Sequence, residues 1–324
     1  MNPKRIAITT LALAASLAQA QTLSVTFPGN NEVLGKTNQI KFLSTDANSQ
    51  IRIVATVTKN DDANIKFTAE SFFDPDSVQR VLGSLDLNFD EATPSGTYTL
   101  VVQLFAQGSL RQTQTVSNIK IDTRNPRFKN VSPTNNSFVS LSVLIKAILD
   151  EANIDKWRVR VSDRDIPNNT GNGNDVSVTW DTTSVENDGP QSISIKVDDK
   201  AKNQATRTVN VTLDRVNPAI EISSPTNVVY RPGSIIPVIV NVNDQFQNSV
   251  SNTGVNVVIK TLDGRYIAKV ARKLVRNNDT TLQWIGRVRH TSKFPNTFKI
   301  VVTAQDRAGN RAQTQEIIVN IGGN

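Results

Sequence analysis

One motif recurs at the length of a small domain, and this limits what the chain can fold into more than any other feature. Pro28 followed by Asn30 and Asn31, then Ser132-Pro133-Thr134-Asn135, then Ser224-Pro225-Thr226-Asn227 each open a segment of roughly 95 to 110 residues. Asp-x-x-Asn-Pro punctuates the joins, from Asp122 to Pro126 and from Asp214 to Pro218. Two segments also close alike, with Asp199-Lys-Ala-Lys-Asn203 matching Asp306-Arg-Ala-Gly-Asn310. Repetition at this period implies an array of small, similar domains. The expected boundaries are 1–20 for a leader and 21–123, 124–215 and 216–324 for three domains.

The leader is read from Lys4 and Arg5, an apolar run from Ile6 to Leu17, and a small-x-small site at Ala18-Gln19-Ala20. That is the layout of a secretory signal peptide cleaved before Gln21, and the apolar run is shorter than the roughly 20 residues a membrane span needs. An exported protein with no transmembrane segment in the mature chain is expected, placed outside the cell, on its surface or in the periplasm. The chain has no Cys, so each domain must stand on its apolar core without a disulfide, which about 100 residues can supply. An exported chain without Cys fits a bacterial source. Charge is uneven: eight basic against eleven acidic residues in 21–123, thirteen against twelve in 124–215, and thirteen against six in 216–324. The basic excess of the last segment bears on partners rather than on fold.

Period-two alternation predicts strands throughout. Tyr98, Leu100, Val102 and Leu104 alternate with Thr99, Val101 and Gln103; Ile193, Ile195 and Val197 with Ser192, Ser194 and Lys196; Phe298, Ile300, Val302 and Ala304 with Lys299, Val301 and Thr303. Trp157, Val159 and Val161 are expected to face a core while Lys156, Arg158 and Arg160 face water, and Leu282, Trp284 and Val288 likewise against Arg287 and Arg289. Turn clusters such as Asn168 to Asp175 and Asn187 to Pro190 separate the strands. Short strands with turns every 8–12 residues predict an all-β chain of antiparallel sandwiches. Pro126 and Pro218 in short joins predict an elongated, moderately bendable array.

With these motifs the chain resembles the tandem Ig-like domains of bacterial exported and surface proteins. The resemblance rests on the Ser-Pro-Thr-Asn openings, the joins, Tyr230-Arg-Pro-Gly233, Gly96-Thr-Tyr98 and Asp306-Arg-Ala-Gly-Asn310, and covers nearly all of 22–322. It departs at Ala106, where the other repeats carry Asp199 and Asp306, and at Lys202, where Gly309 stands. It implies three tandem Ig-like antiparallel β-sandwiches used as spacer, adhesive or accessory modules without catalysis.

Catalytic chemistry has little to work with. The absence of Cys removes thiol nucleophiles and zinc-thiolate sites. The single His, His290, reads as a solvated strand-end residue, with no Gly-x-Ser-x-Gly elbow near it. Gly171-Asn-Gly-Asn174 leads into no helix with Lys-Ser/Thr and reads as a hairpin loop. No enzyme and no cofactor are expected, calcium being the one candidate.

The Asp-x-x-x-Asn turn has two readings. In one it is a turn device, with Asp accepting turn amides while Gly and Asn take left-handed conformations. In the other it contributes to a calcium site, because an Ig-like sandwich places this hairpin at the same end as the second-strand loop and the incoming linker. At the first junction those elements carry Asp122, Asp150, Glu151, Asp198, Asp199 and Asn203; at the second they carry Asp214, Asp244, Asp306 and Asn310. Such clusters could supply several of the six to eight oxygens calcium takes.

The second candidate surface is basic. Lys269, Arg272, Lys273 and Arg276 are read on one strand and its following turn, with Arg287 and Arg289 outward on the next. They are either a charged sheet surface that blocks strand addition or a patch for an anionic envelope polymer, a lipid surface or another surface protein. Nucleic acid is disfavoured, because stacking aromatics are sparse there. The expected function is therefore an extracellular or cell-envelope spacer, adhesion or binding module whose third domain docks on an anionic surface. The alternative is an accessory subunit of a hydrolase or surface-assembly machine.

Overall fold

The computed structural model describes residues 21–278 and 280–322 and, of these, all side chains but those of 252, 274 and 276–278. The expected leader at 1–20 lies outside the described residues. By their internal contacts the described residues form two compact units, one within 21–125 together with 200–203 and one within 126–199 and 204–322. The first contains one β-sandwich and the second contains two.

The first sandwich comprises β1 (Thr22–Phe27), β2 (Val33–Leu34), β3 (Thr37–Thr45), β4 (Ile51–Lys59), β5 (Lys66–Phe73), β6 (Val81–Asn88), β7 (Gly96–Ala106) and β8 (Ser109–Ile121). Its sheets run β1-β3-β6 and β2-β8-β7-β4-β5. The second comprises β9 (Arg127–Ser132), β10 (Ser137–Val139), β11 (Ser142–Asp150), β12 (Ile154–Val161), β13 (Arg164–Gly171), β14 (Asp175–Asp181), β15 (Gly189–Asp199) and β16 (Gln204–Leu213). The same order returns in its sheets, β9-β11-β14 and β10-β16-β15-β12-β13. The third comprises β17 (Ala219–Ser224), β18 (Val229–Tyr230), β19 (Ile235–Asn243), β20 (Val250–Lys260), β21 (Tyr266–Lys269), β22 (Ala271–Asn278), β23 (Thr281–Arg289), β24 (Thr297–Asp306) and β25 (Gln315–Ile321). It repeats the pattern with one added edge strand, as β17-β19-β23-β22 and β18-β25-β24-β20-β21. One short 3-10 turn, Thr182–Ser184, is the only helical element among the described residues, and no helix there is long and apolar enough to cross a membrane.

The repeated opening motif has a definite job. The first strand of each sandwich pairs antiparallel with its third, and the chain then crosses to the other sheet, where a short strand pairs parallel with the last strand. The crossing falls at Pro28, Pro133 and Pro225, each after a cis peptide bond. A Pro cannot donate to the ladder and so ends the first strand. The Asn that follows ties the crossing down: the Asn30 side chain accepts the Ser117 amide at 2.8 Å, and Asn135 accepts that of Asn210 at 2.9 Å.

Alternation fills the cores as the period requires. Tyr98, Leu100, Val102 and Leu104 are fully buried in the first core, Ile193, Ile195 and Val197 in the second, Phe298, Ile300 and Val302 in the third. Val301, on the opposite face of β24, is also buried, at 5% exposure, so that strand is covered on both sides. At the start of β7 the Tyr98 hydroxyl donates to the Pro94 carbonyl at 2.6 Å, four residues upstream, which is the tyrosine corner of Ig-type sandwiches. Burial pushes the phenol pKa up, with the Asp61 charge adding to it. Replacing Tyr98 with Phe should keep the ring and leave the Pro94 carbonyl without this donor, at a cost of about 1 kcal/mol; urea denaturation compares the two proteins.

Candidate functional site

The second unit gathers three carboxylates at one end of its third sandwich. Asp214 directly follows β16, and its amide donates to the Val139 carbonyl at 2.8 Å. Asp244 directly follows β19, its amide bound to the Thr280 carbonyl at 3.0 Å. Asp306 ends β24, its amide bound to the Asn310 carbonyl at 3.0 Å across the hairpin. A connector, a second-strand loop and a hairpin are the three elements whose convergence the sequence suggested. One carboxylate oxygen from each of these residues lies within 4.8 Å of the other two.

Neutral donors hold most of these oxygens. Gln245 Nε2 donates to Asp214 Oδ1 at 2.7 Å and also to Asp188 Oδ2 at 2.8 Å. The Val216 amide reaches Asp214 Oδ1 at 3.3 Å. Asp244 accepts from Ser249 Oγ at 2.6 Å and from the Gln245 amide at 2.8 Å. Asp306 accepts from the Asn310 amide at 2.8 Å and from its Nδ2 at 2.7 Å. Asn310 Nδ2 also reaches the Asp214 carbonyl at 2.8 Å, while Asn310 Oδ1 accepts from Ser140 Oγ at 2.7 Å. The Asp-x-x-x-Asn turn is thus a hairpin device, with Gly309 at φ +97°, and at the same time a supplier of one carboxylate to the cluster.

The electrostatics are one-sided. Asp214 has no solvent exposure and Asp306 only 7%, with Asp244 partly buried. Asp214 Oδ2 is buried and accepts no hydrogen bond. The guanidinium next in sequence to Asp214 is engaged elsewhere: Arg215 Nε pairs with Asp188 Oδ1 at 2.6 Å, and Nη1 donates to the Thr182 carbonyl at 3.0 Å. Among the described residues no Lys or Arg forms an ion pair with any of the three. Desolvation, with the Asp244 and Asp306 charges adding to it against the Gln245 and Val216 hydrogen bonds, pushes the Asp214 pKa up to about 6. Desolvation, with the Asp306 charge adding to it against the Ser249 and Gln245 hydrogen bonds, also raises Asp244. Asp188 moves the other way. Burial opposes its charge, but the Arg215 amide, the Gln245 side chain and the Arg215 guanidinium together lower its pKa.

The first-junction residues divide between the units. In the first, Asp122 accepts from the Arg124 amide at 3.1 Å, and its carbonyl accepts from Asn203 Nδ2 at 2.8 Å. In the second, Asp150 is exposed and pairs with Lys129 at 3.0 Å, and Asp198 lies 3.8 and 3.9 Å from Lys196 and Lys156. Glu151 accepts the Asn153 amide at 2.8 Å, and Asp199 is fully buried at the end of β15.

Two readings of the third domain need correction. Lys269 and Arg272 do not share a strand: Lys269 ends β21 in one sheet, and β22, carrying Arg272, Lys273 and Arg276, belongs to the other. The chain crosses at Val270, whose side chain is buried at 3% exposure and so anchors the step between layers. Arg287 and Arg289 are exposed on β23, and the register sets Arg272 opposite Gly286 on the core-side face of that ladder. The Arg276 side chain lies outside the described residues. His290 is not solvated but 8% exposed. It continues the inward series of Leu282, Trp284 and Val288, takes the Gly233 amide on Nδ1 at 3.4 Å, and its ring lies 6.3 Å from that of Phe294. The alternation already contained this signal.

The repeated strand order defines the chain as a tandem array of Ig-like β-sandwiches. No protein-family model matches it, and no curated protein matches it in sequence. Similar solved structures include the fibronectin(III)-like modules of Clostridium thermocellum CbhA, with 11% identity, a TM-score of 0.41, and coverage of 60% of this chain and 93% of that one. A Ca2+-stabilized adhesin that helps an Antarctic bacterium bind ice is similar at 16% identity and a TM-score of 0.32, over 95% of this chain and 75% of that one. The ICAM-5 D1–D4 ectodomain fragment is similar at 9% identity and a TM-score of 0.36, over 94% and 77%.

Proposed function

We propose that this protein is an exported, non-catalytic Ig-like array that serves at the cell envelope or outside it as a spacer and binding module. The observation that carries the reading is the return of one strand order three times in a single chain. The connectors, residues 122–126 and 214–218, are five residues each, too short to hold an intervening element. The third sandwich, with its excess of Lys and Arg, is the part that meets an anionic partner, an envelope polymer or lipid surface. Arg287 and Arg289 on the exposed face of β23, with Lys273 on the neighbouring β22, form the contact.

Cosedimentation of residues 21–324 with washed envelope fragments tests this. Binding is expected at low salt and should fall steeply as salt screens the charges. It should be lost in the triple variant Lys273→Glu, Arg287→Glu, Arg289→Glu, whose circular dichroism should match the parent. No binding at any salt, or equal binding by the variant, overturns the anionic-surface contact.

A further inference from the structure

We propose that Asp214, Asp244 and Asp306 together bind one calcium ion, which fastens the third sandwich to the connector that leads into it. The cluster is more than a group of acids. Its oxygens converge within 4.8 Å from three separate elements, Asp214 is wholly buried, and its Oδ2 is an acceptor with no donor. An unpartnered buried carboxylate oxygen beside two further carboxylates is a costly arrangement for the protein alone. A cation at the meeting point of the three oxygens removes that cost.

The donor set selects the ion. All three ligands are carboxylates, hard oxygen donors with no nitrogen or sulfur among them, which disfavours zinc and copper. Calcium accepts mono- or bidentate carboxylates in flexible geometry and completes its six to eight ligands with carbonyls and water. Magnesium demands a near-ideal octahedron and keeps most of its water, which three side chains held by Gln245, Ser249 and Asn310 are poorly placed to provide. Those donors fix the carboxylates in place, the orienting role that surrounding hydrogen bonds have at metal sites. Asp214 belongs to the connector, while Asp244 and Asp306 belong to loops of the third sandwich. Binding therefore ties the connector down and adds to the direct contacts on that side, Ser140 with Asn310 and the Phe138 and Phe246 rings 6.5 Å apart. The inference does not depend on envelope binding, and the cosedimentation result leaves it untouched.

Chelator-treated residues 21–324 are titrated with calcium, and separately with magnesium, by calorimetry and by thermal melting at pH 7.5. Calcium should raise the melting temperature of one transition, EDTA should reverse it, and magnesium should act at least tenfold more weakly. Asp214→Asn and the double variant Asp244→Asn, Asp306→Asn should each lose one bound calcium per chain and the matching rise in melting temperature. Asp214→Asn should also melt higher than the parent in chelator, because it removes a buried charge, so lost calcium binding there cannot be mistaken for misfolding. Equal calcium stoichiometry and equal thermal shift in parent and variants would overturn the proposal.

Discussion

Replacing Trp284 with Ala is expected to cost about 3–5 kcal/mol, the range for truncating a large buried aromatic. The ring is 3% exposed and lies in register with Val240 on β19 and Val275 on β22, at the centre of the third core. It rests over Gly286, where a Cβ would stand 2.5 Å from the ring edge. A domain of this size has only about 5–15 kcal/mol of stability, so the loss is a large part of the whole. Calorimetry should show one transition lowered by roughly 4–8 °C for each kcal/mol, with the transition of the first sandwich unmoved. A loss below 1 kcal/mol would mean that the ring is not packed as described.

In chelator, the part of the stability that depends on Asp214 should fall as pH rises from about 4 to 6. The folded pKa, about 6, lies above the ordinary value of 3.8. Between these values the unfolded chain gives up its proton while the folded chain keeps it, so stability is greatest below 3.8 and levels off above 6. The shift of about two pKa units corresponds to about 3 kcal/mol. The charged groups around Asp214 are Asp244 and Asp306 from the third sandwich, and Asp188 from the second, which shares the Gln245 side chain with Asp214 and is paired with Arg215 of the connector. Carboxylates with lowered pKa elsewhere, Asp188 among them, act with the opposite sign in acid. The quantity to measure is therefore the difference between the parent and Asp214→Asn in urea at pH 4.5 and 7.5. The variant should gain relative to the parent as pH rises. A difference that does not change with pH would show that Asp214 titrates as an ordinary exposed carboxylate.

The inward faces could be read from residues alone because they depend on a local rule, whereas Gly171 to Asn174, expected as a hairpin loop, leads from β13 in one sheet to β14 in the other. The period-two alternation put Trp157, Val159 and Val161 in a core with Lys156, Arg158 and Arg160 outside, and so they lie. The same rule applied one step further would have turned His290 inward. The basic strand was misread because Lys269 through Arg276 is continuous in sequence while the sheet it joins changes at Val270. No local pattern marks which sheet a hydrogen bond will reach. For the carboxylates, the sequence named Asp214, Asp244 and Asp306 as residues at one end of a sandwich, but their burial and the orphaned Asp214 Oδ2 needed coordinates.

The sequence by itself determined that this is an array of β-sandwiches, how many there are, and the inward face of the strands with the clearest alternation. Side-chain period and turn chemistry act within a few residues, and a repeat multiplies their signal. Only the tertiary structure decided which Gly makes room for which aromatic, where the chain changes sheets, and that three aspartates separated by 30 and 62 positions share one buried site. Desolvation and charge repulsion depend on distances through space, and the folded sandwiches set those distances.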